Sequence, residues 1–344
     1  MATCYSYRMP LPEKALIARI ARQAWTAAPA AGARGRDTYQ KAHTRTGVAG
    51  LRRGIGDDCA VLQLPSGHAA LVTTDFSLEE VHFKRRWHPP ESVGHRCLAR
   101  GLSDIAAMGG KPLAAFVSLA LPAGLPQEWV DGFFKGFLGL AKRFSVVLAG
   151  GDTSQSPGGV LADIILLGSA PAGTAVLRSG ARAGDSLYVT GELGAAAQVL
   201  AQLRSGRLKR LSPRRYPAHF LPIPRIAAGH ILRARRLASA MIDISDGLST
   251  DLRHLCEESG VGARIYAEKV PAAGGAAKLR FALHGGDDYE LLFTAKGKVP
   301  DSIAGVSVTR IGEVTRGRKI VLVEDGQERE LPAGGWEHFG RRPR

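Results

Sequence analysis

Short acidic turns recur along this chain, each lying at the end of an apolar run or among glycines. The aspartates concerned are Asp57, Asp58, Asp75, Asp104, Asp152, Asp243, Asp246, Asp287 and Asp288. At such places the backbone can turn sharply and present carboxylate oxygens to a hard cation. Because the chain has a formal net charge of +15, carboxylates confined to apolar surroundings are poorly explained as solvation. The pattern predicts that these turns converge on Mg²⁺ ions that hold a polyphosphate.

Each acidic turn, taken alone, also has a purely structural explanation. Asp57 could cap a turn, Asp104 could pair with an arginine, and Asp246 could cap the helix that follows it. The doubled acids at 57–58 and 287–288 exceed what a cap needs. Asp104 is predicted in the last turn of a helix, where the negative end of the helix dipole disfavours an acid unless a cation compensates. Together these features favour metal binding.

Length and composition bound the fold class. At 344 residues the chain is long enough for two domains. Hydrophobic residues make up 45% and charged residues 22%, an ordinary globular balance. No uncharged apolar run approaches the roughly 18 residues of a membrane span, so no membrane association is expected. The four cysteines are far apart and form no C-x-x-C pair, which favours reduced thiols in a cytoplasmic protein over zinc ligands or disulfides.

The excess of basic residues raises nucleic-acid binding as a possibility. Aromatic residues are only 6%, and serine, glycine and proline interrupt the densest basic cluster, Arg204–Arg215. Because that cluster has no aromatic residues interleaved for base stacking, we expect a solvated loop and no nucleic-acid partner. The basic start of the chain superficially suits a transit peptide. The alternative, which we favour, is a helix at 14–23 followed by a loose basic insertion at 26–50.

Hydrophobic periodicity predicts secondary structure over most of the chain. The predicted helices are 14–23, 89–108, 127–144, 193–203, 225–235 and 248–258, and the predicted strands are 60–64, 69–74, 114–121, 145–149, 160–167, 186–190, 240–244 and 289–294. Asp75 and Gly150-Gly151-Asp152 are expected to follow their strands. The order of elements predicts an α+β domain at 51–170 and an α/β domain at 171–344, after an N-terminal segment at 1–50.

Several common chemistries lack their motifs. The chain has no G-x-x-x-x-G-K-[ST] phosphate loop, no protein-kinase motif set, no G-x-S-x-G elbow and no H-E-x-x-H metal motif. The G-x-G at Gly54 and Gly56 lacks the third glycine and the helix start that dinucleotide binding requires. These chemistries therefore find less support than phosphate chemistry based on carboxylates and metal ions.

An ordered set of motifs carries a family resemblance. In the first half these are G-I-G-D-D-C-A, T-T-D followed by His82-Phe83, L-S-D-I-A-A-M-G and G-G-D-T; in the second half they are R-S-G-A-R-A-G-D, I-D-I-S-D-G-L, G-G-D-D-Y-E-L and G-W-E-H-F. The set resembles the thiamine-monophosphate kinase family, within the aminoimidazole-ribonucleotide-synthetase-like superfamily. The resemblance implies a two-domain PurM-like fold and a homodimer whose N-terminal sheets pair across the two-fold axis.

The resemblance also implies an activity and a set of site residues. Such enzymes transfer the γ-phosphoryl group of ATP directly to the phosphate of thiamine monophosphate, with several Mg²⁺ ions. The implied metal ligands are Asp58, Thr73, Thr74, Asp75, Asp104, Asp152, Asp243 and Asp246, of which Asp75, Asp104 and Asp152 are catalytic. The implied ATP contacts are Gly150, Gly151, Arg178 and Ser245. The implied contacts with thiamine monophosphate are His82, Asp287 and Trp336.

Two departures from the family pattern and several alternatives accompany this hypothesis. The family usually has Glu where Asp287 stands, and the insertion at 26–50 is not a family feature. Other ATP-using members of the superfamily, selenophosphate synthetase and hydrogenase-maturation proteins, share the acidic turns. The first needs a reactive N-terminal cysteine or selenocysteine in a setting that Cys4 lacks, and the second needs a C-terminal cysteine, where this sequence has Arg341–Arg344. A non-catalytic sensor of nucleotide or thiamine phosphate is a further alternative. Trp336 could instead fill the core, and His82 could be a surface histidine.

Overall fold

The computed structural model describes residues 51–53, 60–63, 67–208 and 212–339. The predicted helix at 14–23, the insertion at 26–50 and the turn with Asp57 and Asp58 lie outside the described residues. The helices are α1 (Pro90–Ala107), α2 (Gln127–Arg143), α3 (Ala195–Arg204), α4 (Pro217–Phe220), α5 (Ile226–Ala234), α6 (Leu248–Ser259) and α7 (Leu279–His284), with 3₁₀ turns at Ala267–Lys269 and Ala276–Lys278.

The strands fall into two groups along the chain. Those of the first half are β1 (Leu51–Arg53), β2 (Ala60–Gln63), β3 (His68–Leu78), β4 (Lys111–Pro122), β5 (Val147–Ser156) and β6 (Leu161–Pro171). Those of the second half are β7 (Ser186–Thr190), β8 (Ala240–Ile244), β9 (Gly262–Tyr266), β10 (Glu290–Ala295), β11 (Ser302–Ile303), β12 (Val306–Thr315), β13 (Ile320–Glu324) and β14 (Gln327–Glu330).

Among the described residues, the first group forms a six-stranded sheet in the order β1-β2-β3-β6-β4-β5. β6 pairs antiparallel with β3 and β4, and β4 pairs parallel with β5. Helices α1 and α2 pack over one face, where Phe133 and Phe137 of α2 are fully buried with Ile164 of β6. On the opposite face, the side chains of Phe76 and Ile165 are exposed.

The second group forms a sheet in the order β14-β13-β9-β12-β7-β10-β8, with β11 paired to β12. Its strands pair antiparallel except β9 and β13, which are parallel. One face packs on α6 and α7 through residues such as Leu252 and Leu283, and the other face packs on α5 through Leu232. In the described part of the chain, no helix has the length and apolar character needed to cross a membrane.

Helix α1 belongs to both domains. It begins with Pro90 in its first turn, a position where proline loses no helical hydrogen bond, and ends before Gly109, whose φ is 67°. Leu98 and Leu102 are fully buried in the core of the first sheet. Ala106, about one turn after Leu102, is buried in the cluster formed by the second sheet. The helix therefore carries the contact between the domains.

The structure confirms most predicted elements and corrects two. β7 and β8 have the predicted bounds. β3, predicted to end before Asp75, continues to Leu78 because it pairs with β6 along its whole length. Gly150, Gly151 and Asp152 were expected in a turn but lie within β5, which stays paired with β4 as far as Ser156. Residues whose composition is typical of a loop therefore extend this strand.

Two glycines of α2 allow a test of the packing between α1 and α2. A Cβ added at Gly136 would lie 1.8 Å from the carbonyl oxygen of Glu91 in α1, whereas nothing lies within 4 Å of a Cβ at Gly139. We expect Gly136→Ala to lower the free energy of unfolding by about 1–3 kcal/mol or more, because the helices must move apart. Gly139→Ala, the matched control, should be neutral or stabilising by up to about 1 kcal/mol. Urea unfolding measures both, and equal effects would contradict the packing described.

Candidate active site

The candidate site lies along α1, where the two domains meet. Most of this helix is buried, but Arg100 and Asp104 are only half-buried. These two residues are four positions apart and therefore lie on one face of the helix. Arg96, one turn before Arg100, is buried and points its guanidinium at the second domain. The following contacts are arranged along this face.

At one end of the face, aspartates from both domains are held by hydroxyl groups. The hydroxyl of Thr73 in β3 donates a hydrogen bond to the carboxylate of Asp104. The neighbouring Ser103 donates to the carboxylate of Asp243 in β8, with an oxygen–oxygen distance of 2.5 Å. Asp243 is only 2% exposed. Two adjacent residues of α1 therefore bring together one predicted metal ligand from each domain: Asp104 itself, and Asp243, which Ser103 holds.

The loop after β8 adds further negative charge to this end. The carboxylate of Asp251 in α6 accepts backbone N–H groups from Ser245, Asp246 and Gly247, at 3.1, 3.1 and 2.9 Å. Burial raises the pKa of Asp251. The charges of Asp246 and Asp243 raise it further, whereas the Gly247 N–H and Arg178 lower it. The structure therefore brings together the predicted residues Asp243, Ser245, Asp246 and Arg178.

At the other end of the face, an ion pair joins the two domains. Arg96 of α1 donates to the carboxylate of Asp287 at 2.9 Å, and the hydroxyl of Tyr289 donates to the other carboxylate oxygen at 2.8 Å. Burial alone would raise the pKa of Asp287, but Arg96 and Arg100 outweigh it and hold the pKa well below its usual range. Asp287 has a φ of 68°, which is rare for a residue with a side chain. Its carboxylate is therefore ionised and fixed in place.

Three aromatic side chains lie next to this ion pair. The ring of His82 is 5.4 Å from that of His338, which is 5.5 Å from that of Trp336. His82 lines a small cavity together with Ser77, Phe83, Val93, Arg96 and Arg100. Burial, aided by Arg100, lowers the pKa of His82 to about 3, although Asp287 opposes the shift. His82 is therefore a neutral ring at physiological pH.

The backbone of the C-terminal segment connects the two ends. Trp336 donates its backbone N–H to the carbonyl of Asp246 at 2.9 Å. Gly335 donates to the hydroxyl of Thr250 at 3.0 Å. The indole N–H of Trp336 is buried and donates to no group among the described residues. The predicted contacts His82, Asp287 and Trp336 thus gather at one place, beside the acidic loop.

Comparison with known proteins identifies the family. Residues 56–170 match the family model for AIR synthase related protein, N-terminal domain, and residues 182–331 match its C-terminal domain. The thiamine-monophosphate kinase of Salmonella typhimurium is 35% identical over 306 residues, covering 84% of this chain and 92% of that protein. That of Escherichia coli strain K12 is 36% identical over 304 residues, covering 83% and 91%. The chain belongs to the thiamine-monophosphate kinase family.

A solved member of the thiamine-monophosphate kinase family shares the fold. The structure of AaThiL complexed with AMPPCP and TMP superposes with a TM-score of 0.79 at 30% identity, covering 97% of this chain and all of that one. The match confirms the expected two-domain PurM-like fold. The N-terminal domain supplies α1 and β3 to the site, and the C-terminal domain supplies β8 and the turn at Asp287.

Four predicted residues of the kinase site do not join the group around Asp104 and Asp243. They are Asp152, Gly150 and Gly151 of β5 and Thr74 of β3. Asp152 is exposed and three strands from β3, a separation of about 14 Å at the usual strand spacing. The hydroxyl of Thr74 donates instead to Asp163 of β6 at 3.2 Å. Since strand side chains alternate, Thr74 lies on the sheet face opposite Thr73 and Asp75.

The donor set of the remaining site fits Mg²⁺. Carboxylate and hydroxyl oxygens are the ligands this ion prefers. Asp243 and Asp246 raise the pKa of Asp251, so negative charge is in excess here and a cation would offset it. Among the residues described, no three Asp, Glu, His or Cys side chains are close enough to hold a metal by themselves. Mg²⁺ in phosphoryl-transfer sites needs only one or two carboxylates, with phosphate and water completing its shell. Asp58 lies outside the described residues.

Sequence reasoning missed four polar residues of the site. Ser103 and Asp251 hold the predicted ligands, and Arg96 and Arg100 supply its positive charge. A signal existed for Asp251, since an acid in the first turn of a helix interacts favourably with the helix N-terminus. The arginines lie four residues apart in a predicted helix, where charged residues are ordinarily solvated. Their burial follows from docking of the second domain, which no local pattern reveals.

The buried histidines predict how stability depends on pH. Burial, with Arg96 nearby, lowers the pKa of His88 to about 4 and that of His219 to about 3. In the unfolded chain these rings titrate near 6.5. Below pH 6.5 the unfolded chain therefore binds more protons than the folded chain, and stability falls as the pH falls.

We expect the free energy of unfolding to decrease between pH 7 and pH 5. Each of His82, His88 and His219 contributes a slope of up to about 1.4 kcal/mol per pH unit. Urea unfolding at several pH values measures the slope. Replacing His88 by Gln should make it shallower, and His68→Gln, at an exposed position, controls for the loss of a histidine. A stability that does not change over this range would contradict the burial of neutral rings.

Proposed function

We propose that this chain phosphorylates thiamine monophosphate with ATP, giving thiamine diphosphate and ADP. The observation that carries the proposal is the placement of two groups on one face of α1. Hydroxyl-held aspartates from both domains, Asp104 and Asp243, lie at one end, and His82 and Asp287 lie at the other. The first group suits a polyphosphate with its cations, and the second suits a cationic aromatic ring.

Relatives over most of the chain favour this activity over the other ATP-using members of the superfamily. The curated proteins that are 35–36% identical are thiamine-monophosphate kinases, and AaThiL was solved with AMPPCP and TMP. A sensor that binds without turnover could tolerate the loss of several acidic residues. Because this chain has carboxylates from both domains at the site, an enzyme is better supported than a sensor.

Asp75, Asp104, Asp243 and Asp246, with Thr73, are the described residues that would hold Mg²⁺. Bound there, Mg²⁺ supplies positive charge that lets two anionic phosphates approach and that balances charge during transfer. Asp58 and Asp152 stay predictions as ligands, as does Thr74.

The chain's own residues align the two substrates. Arg178 is a permanent cation whose planar fork suits phosphate oxygens, and it lies beside Asp251 and the Ser245 loop. Trp336 offers a ring face for the aminopyrimidine or the thiazolium, together with a buried indole N–H as a donor. The ionised carboxylate of Asp287 attracts the cationic part of the ligand. Gly150 and Gly151 are proposed to let backbone N–H groups approach ATP.

In-line transfer at this site needs no strong general base. The attacking group is a phosphate oxygen that is already anionic at neutral pH, so catalysis consists of alignment and charge stabilisation. His82 fits such a mechanism, because a ring with a pKa of about 3 is a poor base. We assign His82 to shaping the acceptor pocket.

A homodimer is part of the proposal. Phe76 and Ile165 are 53% and 36% exposed on the face of the first sheet that α1 and α2 leave open, and Phe116 pairs in register with Ile165. Large apolar side chains exposed on an uncovered sheet face are typical of a protein–protein interface. The proposed partner is the same face of a second copy.

The buried thiols Cys97 and Cys256 support a reducing compartment, the cytoplasm.

Replacing Asp104 tests the kinase proposal. We expect Asp104→Asn to lower kcat by on the order of 10²–10³-fold. A neutral amide lacks the negative charge with which the carboxylate would hold Mg²⁺ at the phosphates. The assay measures thiamine diphosphate formed from ATP, Mg²⁺ and thiamine monophosphate. Asp131→Asn, on the exposed side of α2, is the matched control and should keep full activity. Near-normal turnover in a folded Asp104→Asn protein would remove this residue from the site.

Replacing Ile165 tests the dimer. A lysine there places a charge in the proposed interface, so we expect Ile165→Lys to sediment as a monomer while the wild type sediments as a dimer. Leu138→Lys is the control, since Leu138 is 46% exposed but lies on α2, away from the open sheet face. A wild-type monomer, or an unchanged dimer in Ile165→Lys, would refute the proposed interface.

A further inference from the structure

Helix α1 sets a distance scale across the site. Asp104, Arg100 and Arg96 are spaced four residues apart, so each is about 6 Å from the next along the helix axis. Asp104 lies at the end proposed to hold the donor phosphates. Arg96 lies at the end proposed to hold the thiamine, through its ion pair with Asp287. Arg100 therefore lies between the two ends.

The charges around Arg100 agree with this central position. Burial alone would lower its pKa, but Tyr289, Asp75, Asp287 and Asp246 outweigh burial and raise it. Asp75 and Asp246 belong to the phosphate end, and Asp287 belongs to the thiamine end. The guanidinium is thus a permanent cation that faces groups from both ends.

The position of Arg100 is fixed by the first domain. One N–H of its guanidinium donates to the carbonyl of Phe76 in β3 at 2.9 Å. A guanidinium has five N–H donors in a planar fork, and this contact uses one of them. Arg100 also lines the cavity that contains His82 and Ser77. A cation at the wall of a cavity that is also lined by Ser77 is suited to bind an anionic ligand.

The chemistry of the acceptor supplies that anion. In thiamine monophosphate the phosphate is attached to the ring system, and during transfer it must lie between the rings and the γ-phosphoryl group of ATP. Arg96 is committed to Asp287 and Arg178 lies at the acidic loop. Along α1, Arg100 is the basic residue that stands where the acceptor phosphate must be.

We propose that Arg100 binds the phosphate of the acceptor and makes the site specific for phosphorylated thiamine over thiamine itself. This inference rests on the proposed function. Thiamine carries the same cationic ring but no anion, so Arg100 contributes little to its binding. A bidentate contact from a guanidinium is stronger and more directional than one from an ammonium group, so lysine should replace Arg100 only in part.

Equilibrium binding without nucleotide tests the inference apart from catalysis. Calorimetric titrations with thiamine monophosphate and with thiamine compare the wild type, Arg100→Gln, Arg100→Lys and Arg310→Gln. Arg310 is exposed on β12 and is the control. We expect Arg100→Gln to weaken binding of thiamine monophosphate by about 10–100-fold, the range of one charged hydrogen-bonded contact, and to change thiamine binding less than about threefold. Arg100→Lys should lie between, and Arg310→Gln should match the wild type.

Turnover gives a second readout. Arg100→Gln should raise the KM for thiamine monophosphate and leave the KM for ATP unchanged. Unchanged affinity for thiamine monophosphate would overturn the inference, and so would an equal loss for both ligands, which indicates a structural role. If circular dichroism shows that Arg100→Gln does not fold, Arg100→Lys decides by the same comparison. A wild type that binds neither ligand and forms no thiamine diphosphate would overturn the proposed function as well.

Discussion

The contact between α1 and the second domain is the constraint on which the site depends. A Cβ at Gly229 of α5 would lie 2.0 Å from the carbonyl oxygen of Ala106, so the two helices meet backbone to backbone. Small side chains at this crossing bring the second domain close enough for Ser103 to reach Asp243. Neither domain alone assembles the site, because each contributes carboxylates and at least one arginine.

Burial of charge is balanced along this interface. Arg96 is 5% exposed, and an arginine so deeply buried is tolerated only when an acid and hydrogen-bond acceptors surround it. Asp287 and the carbonyl of His219, at 2.5 Å, provide them. Breaking a buried pair of this kind leaves an uncompensated charge and typically destabilises a protein by about 3–5 kcal/mol. The ion pair therefore stabilises the relative position of the domains while it orients Asp287.

Much of the fold was predictable because its strands are continuous apolar runs that end in acidic or glycine turns. Ser186–Thr190 and Ala240–Ile244 have the predicted bounds for this reason. The predicted end of β5 was wrong, because Asp152 to Ser156 are polar and adopt strand structure only by pairing with β4. The acidic motifs of the site were visible in the sequence. Arg96 and Arg100 were not, because the charge of a helical residue says nothing about which domain covers it.

The backbone of Asp246 has a consequence for how the two proposed substrate sites would influence each other. Its N–H is held by Asp251, and its carbonyl accepts the N–H of Trp336. Under the proposed function, a nucleotide that shifts this loop would also shift the backbone of Trp336, whose ring is proposed to contact the thiamine. A change in affinity transmitted in this way would be equal in both directions, as thermodynamic linkage requires. The backbone of one residue, hydrogen-bonded on both sides, therefore links the acidic loop to the C-terminal segment.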